Sequence, residues 1–108
     1  MTSTESFDSV VLGSGEAGKN IAWHLATAGQ SVVVIEDRYI GGSCPNIACL
    51  PSKNIIHSAA VTQSVRIAAR FGNHADSFTV STADVQAHKR AMVEGLIAMH
   101  QANGAGRA

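Results

Sequence analysis

Cysteine and proline are scarce, at two residues each in 108, and aromatic residues make up only 5% of the chain. So few cysteines exclude a disulfide-stapled secreted scaffold and leave redox chemistry or metal binding as the uses worth weighing. No sign of charge is in excess: 8 Lys+Arg stand against 8 Asp+Glu, for a formal net charge of zero. That balance gives no electrostatic reason to expect nucleic acid or an anionic membrane surface as partner. No apolar run approaches the ~18 residues of a membrane span. The start, Met1-Thr-Ser-Thr-Glu-Ser, is polar and slightly acidic, unlike a secretory signal. A cytoplasmic chain is expected. Charge of either sign is also short, at 15% of residues against the roughly 25% usual in soluble domains. With apolar residues at an ordinary 45%, this implies faces that something else covers. The length allows one domain with a modest core, and no repeat or low-complexity tract marks a linker.

Hydrophobic periodicity divides the chain. Phe7 to Gly13 contains Val10-Val11-Leu12 and reads as a buried parallel strand. From Glu16 the period changes, with Ala17, Ile21, Leu25 and Ala28 three or four apart as on one helical face. Gly29 stands where a helix C-terminus favours glycine. Ser31 to Glu36 (SVVVIE) is a second strand, β-branched nearly throughout. Strand, helix and strand make a βαβ unit. A long helix is predicted from about Ser52 to Arg70, burying Ile56, Ala59 or Ala60, and Ile67. Phe71-Gly72-Asn73 stops it, and Phe78 to Ser81 reads as a short extended piece. A last helix, capped by Ser81 or Thr82, runs to about Gln101 with Val85, Met92, Leu96 and Met99 on one face. Residues 103–108 carry no pattern and are expected to fray.

Gly13-Ser14-Gly15-Glu16-Ala17-Gly18 is G-x-G-x-x-G, placed where a strand passes into a helix. Gly13 permits the tight turn, Gly15 lets the backbone approach a pyrophosphate, and Gly18 lets helix and strand pack closely. The helix N-terminus adds unpaired N–H groups and a positive dipole end. Glu36, at the end of the second strand, is placed to accept hydrogen bonds from a ribose hydroxyl. Glu16 suits the helix dipole and is expected to point toward solvent.

A second chemical segment is GGSCPNIACLPSK, Gly41 to Lys53. Residues five apart on an ideal helix stand 140° apart around its axis, so Cys44 and Cys49 meet only if the helical turn is distorted. Pro45 and Pro51 fit a first helical turn, where a missing N–H costs little. Gly41-Gly42 lets backbone lie close to a ligand, and Lys53 adds a cation that favours a thiolate or an anionic cofactor. A structural zinc site wants four ligands. Two cysteines and the scattered His24, His57, His74, His88 and His100 do not supply it, and these histidines read as ordinary surface or core residues. Trp23 reads as packing.

The two motifs in this order closely resemble the N-terminal flavin-binding segment of the pyridine-nucleotide-disulfide oxidoreductases, the family of dihydrolipoamide dehydrogenase, glutathione reductase and mercuric reductase. The Cys-Pro-Asn and Ala-Met-His wording leans toward mercuric-reductase-like members. The likeness runs to about Asn103. It implies an α/β fold: an incomplete Rossmann-like FAD-binding domain over 1–108, its N-terminal βαβ unit followed by two long helices. It further implies that Gly13, Gly15 and Gly18 hold the FAD pyrophosphate, that Glu36 holds the adenosine ribose, and that Gly42 and Ser43 line the cofactor. Cys44 and Cys49 would form the redox-active disulfide, Cys49 as flavin-facing charge-transfer thiol and Cys44 as interchange thiol, with Lys53 near the flavin N5. Electrons would pass from NAD(P)H through FAD to that disulfide.

Two departures qualify the resemblance. Ala48 stands where the family usually has glycine before the second cysteine. Family members are also several times longer, and a second G-x-G-x-x-G for NAD(P)H, the rest of the flavin domain and the dimer-interface domain with its His–Glu pair are missing from these residues. The sequence therefore reads as a truncated copy. Two alternatives to an enzyme stand beside this reading: a remnant without bound FAD, and a small dithiol protein that exchanges disulfides or binds a soft metal.

Overall fold

Asp8 and Ser31 start the two strands together. The Asp8 carboxylate accepts hydrogen bonds from the Ser31 N–H and hydroxyl, each at 2.8 Å, and the Asp8 N–H donates back to the Ser31 carbonyl at 3.0 Å. The computed structural model, which describes residues 4–105, then runs β1 (Ser9–Leu12), α1 (Glu16–Thr27) and β2 (Val32–Ile35). The strands are parallel, with Ser9 beside Val32 and Leu12 beside Ile35. Both are shorter than the segments expected to form them, Phe7 to Gly13 and Ser31 to Glu36, because ladder pairing stops where the backbone bends into the glycine loop and the turn after Ile35. The helix ends as expected, with Gly29 at φ +89°.

The face of α1 differs from the expected one. Ala17, Ile21 and Ala28 are exposed, Ile21 by 54%, whereas Gly18, Ala22 and Leu25 are covered. Gly18 decides the rotation: a Cβ there would collide with the Gly13 carbonyl oxygen and touch Val11. The bare side of Gly18 therefore faces the strand, and positions four and seven residues later follow it inward.

After β2 the chain makes a short helix, α2 (Ser43–Asn46), then α3 (Cys49–Ile67), a 3-10 turn (Ala68–Phe71) and α4 (Thr82–Ala105). Thus α3 begins three residues before the expected Ser52, with Pro51 in its first turn, where a proline is tolerated. Its partly covered side is that of Asn54, Ser58, Thr62 and Val65. Ile56 is 66% exposed, Ala59 and Ala60 are exposed, and Ile67 is half-buried. The polar side of α3 tolerates this packing because Ser58 and Thr62 donate to the carbonyls of Asn54 and Ser58 one turn back, leaving methylene and methyl groups outward. Phe78 to Ser81 forms no strand; Ser81 instead caps α4, its Oγ accepting the Asp84 N–H at 3.2 Å. Val85, Met92 and Leu96 face inward, while Met99 is 49% exposed. Residues 103–105 continue α4 instead of fraying, and 106–108 lie outside the described residues.

α4 packs along α3, and its end returns to the βαβ unit, where His100 lies against Gly41. The whole measures 67 × 31 × 19 Å with a radius of gyration of 20.5 Å. A compact domain of this length has about 13 Å. Among the described residues only Ala22, Gly41 and Pro45 are buried. One face of the sheet, with Val10, Leu12 and Ile35, is open, and Leu12 is 79% exposed. These are the uncovered apolar faces that the low charge fraction implies.

With so little buried area, the isolated chain is expected to unfold over a broad temperature range and to bind a hydrophobic dye at neutral pH. A single sharp calorimetric peak would contradict this.

Candidate functional site

The carboxylate of Glu36 joins the end of β2 to both glycine loops. Its Oε2 accepts the Ser14 N–H and the Ser14 hydroxyl, each at 2.8 Å, and its Oε1 accepts the N–H groups of Arg38 at 2.9 Å and Tyr39 at 3.1 Å. Four donors occupy the roughly four acceptor positions of a carboxylate. They hold the Glu36 carboxyl down to about 2, the Ser14 N–H contributing most. The Ser14 Oγ in turn accepts the Gly41 N–H at 2.9 Å. Glu36 therefore stands where the sequence places a ribose acceptor, with its lone pairs already engaged by its own chain. A ribose hydroxyl would have to share one of them.

Around this hub the glycines form a cradle. Gly42, at φ +82°, lies against Gly15 so closely that a Cβ on it would come within 2.7 Å of the Gly15 Cα. Gly13 and Gly15 have nothing within 4 Å on the side where a Cβ would stand. Gly15 is the N-cap of α1 and offers no side chain to cap it, and the first helical bond runs from the Lys19 N–H to the Gly15 carbonyl at 3.0 Å. The N–H groups of Glu16, Ala17 and Gly18 are thus left without intrahelical acceptors. An open, glycine-lined loop over unpaired N–H groups and a positive dipole end fits a diphosphate. Glu16 is 76% exposed and pairs with Lys19 at 2.7 Å, in keeping with its expected outward direction.

The cysteine segment is distorted where the spacing requires it. α2 closes with the N–H groups of Ile47 and Ala48 both donating to the Ser43 carbonyl, at 2.9 and 3.0 Å. Ala48 then leaves helical geometry, at φ −120° and ψ −100°, and α3 starts at Cys49. This break brings Cys49 within hydrogen-bonding reach of Cys44. The contact with Cys49 pushes the Cys44 thiol up; burial and the Cys49 charge add to it, and the Lys53 ammonium opposes it. Both are free thiols, Cys44 half-buried and Cys49 exposed. Ser43 is exposed in the first turn of α2. Gly13, Gly15, Gly18, Glu36 and Gly42 are thus gathered at the C-terminal ends of the strands. The α2–α3 break gathers Cys44, Cys49 and Lys53.

Several contributors are not evident from motif reading. Ser14 occupies a variable position of the glycine motif, yet it links three segments. The Asn46 side-chain amide donates to the carbonyls of Ile40 at 2.9 Å and Gly42 at 2.7 Å. His100, read from the sequence as ordinary, packs on Gly41 and carries two polar contacts. Its Nδ1 lies 2.8 Å from the Leu96 carbonyl and its Nε2 lies 3.4 Å from the Lys19 ammonium. The carbonyl requires Nδ1 to carry the proton, so a neutral His100 presents Nε2 to Lys19 as an acceptor. One signal was available: His100 follows Leu96 by four residues, on the same side of α4. A cleft of about 410 Å³ opens between α1, β2 and the end of α4, lined by Ser14, Trp23, Val34, Glu36 and His100. No group of three or more metal-ligating side chains occurs among the described residues.

Because its folded-state value lies below the ordinary 4.5, the Glu36 link is fully present above pH 4.5 and is lost as pH falls toward 2. A carboxyl ¹³C titration is expected to place the Glu36 midpoint at about 2. In Glu36→Gln the acid-induced rearrangement of the Ser14 and Tyr39 amide signals over that window should disappear. A Glu36 midpoint near 4.5 would mean the four bonds are not formed in solution.

Residues 7–104 match the family model described as pyridine nucleotide-disulphide oxidoreductase. The chain is 41% identical over 76 residues to a dihydrolipoyl dehydrogenase of Chlamydia muridarum, covering 70% of this chain and 16% of that one. It is 34% identical over 93 residues to the enzyme of the same name from Chlamydia pneumoniae, covering 86% and 20%. Among solved structures, the Cu(II) complex of the HOCl-induced flavoprotein disulfide reductase RclA from Escherichia coli superimposes with a TM-score of 0.73 at 27% identity, over 93% of this chain and 19% of that one. The chain spans about a fifth of the length of these relatives, and its βαβ unit and long helices are the N-terminal part of a flavoprotein reductase fold. With the family model covering nearly all of it, the chain belongs to the pyridine nucleotide-disulphide oxidoreductase family.

Proposed function

We propose that this chain is the FAD-binding and dithiol-bearing portion of an NAD(P)H:disulfide oxidoreductase, working in the cytoplasm. The observation that carries this reading is the meeting of the two glycine loops at Gly15 and Gly42, with Cys44 two residues beyond Gly42 and in contact with Cys49. The unpaired N–H groups at the start of α1, with Gly13, Gly15 and Gly18, would bind the diphosphate of FAD. Glu36 would share an acceptor position with the adenosine ribose, and Gly42, Ser43 and Lys53 would line the rest of the cofactor. When bound, FAD supplies two-electron chemistry between a reduced nicotinamide and a protein disulfide. Cys49, the exposed thiol, would take the flavin-facing role and Cys44 the exchange with substrate. Lys53 would support that exchange by partly opposing the upward push that the Cys49 contact and burial give the Cys44 thiol. NAD(P)H, the final electron acceptor and any dimer partner would engage residues outside these 108.

A second reading is favoured by the sparse burial: the chain holds no flavin and exchanges disulfides through the exposed dithiol alone. The visible spectrum of the purified chain, after incubation with FAD and desalting, separates the two. A retained flavin band is expected on the first reading, and Gly42→Ala should weaken retention by about tenfold or more, since the new methyl group drives the loops apart. A colourless protein would overturn the first reading. It would support the second if a Cys44–Cys49 disulfide still forms reversibly and is lost in Cys44→Ser.

A further inference from the structure

Asn46 lies between the two cysteines in sequence and beneath the glycine loop in space. Its half-buried amide nitrogen spends both protons on backbone carbonyls, Ile40 on one side of Gly41 and Gly42 on the other. Those carbonyls belong to the turn that presents Gly41 to Ser14 and Gly42 to Gly15. Asn46 itself is the last residue of α2, the turn that carries Cys44, and it immediately precedes the break that starts α3 at Cys49. Among the described residues no other side chain of α2 hydrogen-bonds to the Gly41–Gly42 turn, and α2 is only four residues long. Such a turn has too few internal bonds to hold its own position.

We propose that Asn46 is a positioning residue for the dithiol: by clamping the Ile40 and Gly42 carbonyls it holds Cys44 at the distance from Cys49 at which an intramolecular disulfide closes. The inference rests on the redox reading of the Cys44–Cys49 pair. Closure is a two-step exchange with a disulfide oxidant such as oxidised glutathione. One protein thiolate attacks the oxidant, forming a mixed disulfide and releasing one glutathione thiolate. The second protein thiolate then displaces the other, and both leaving thiolates take up the two protons lost from the cysteines. Clamping acts on the second step, which is intramolecular and depends on how often the two sulfurs meet.

The test compares the wild-type chain with Asn46→Ser and Asn46→Leu in glutathione redox buffers, reading the fractions of closed disulfide and of mixed disulfide by mass spectrometry. Serine keeps one of the two bonds, because its hydroxyl can donate to the carbonyl four residues back, as Thr27 and Thr62 do elsewhere in this chain. Leucine keeps the approximate volume and neither bond. The expected result is a graded fall in the effective concentration of the pair, about tenfold for leucine with serine between, and a rise in mixed disulfide as closure slows. Equal closure in the wild type and the serine variant, at unchanged far-UV circular dichroism, would overturn the positioning role whatever the leucine variant does. Equal closure in all three would do the same and leave the redox reading standing. A wild-type chain that never closes would overturn the redox reading, and this inference with it.

Discussion

The contact on which the rest of this structure depends is the one between Glu36 and Ser14. A parallel βαβ unit brings the ends of two strands side by side, but it does not determine how the loops leaving them are arranged. Here one carboxylate does so. It takes both polar groups of Ser14 from the first loop and two N–H groups from the turn after β2, and Ser14 passes the link on to Gly41. Hydrogen bonds to a charged acceptor are stronger than neutral ones, and several converging on one group restrict geometry more than any alone. Without them the Gly15–Gly42 contact would have no reason to persist, since two glycines contribute almost no packing of their own.

That contact explains why both loops need glycine, and why their needs differ. Gly18 is required for closeness, since a side chain there would strike the turn it packs on. Gly42 is required twice over, for closeness to Gly15 and for a backbone conformation that other residues rarely adopt. Gly13 needs only the conformation, with free space beside it.

The dithiol is arranged on different terms. α2 and α3 are one helical path broken at Ile47–Ala48, and the break corrects the angular mismatch that a five-residue spacing would otherwise impose. Pro45 is buried beneath it, and His100 approaches from α4 against the same Gly41 that Ser14 holds from the other side. The two cysteines and the glycine cradle therefore share a wall. Their placement depends on α4, forty residues further along the chain, as well as on the local motif.

Reading from the sequence alone determined the order of elements, the glycine loop, the acid at the end of β2 and the need for a broken turn between Cys44 and Cys49. Each of these is a local property, set by periodicity, by the absence of a side chain or by spacing along a helix. The rotations of α1 and α3 were decided by tertiary structure. The stripe of Ile21 and Ala28 and the stripe of Ile56 and Ala60 are apolar enough to be inner faces. Yet Gly18 turns the first outward, and α3 packs with its Ser58 and Thr62 side partly covered, which leaves the second exposed. The roles of Ser14, Asn46 and His100 were also decided there. Their side chains act on backbone groups from other segments, and hydrogen bonds of that kind leave no periodic trace in a sequence.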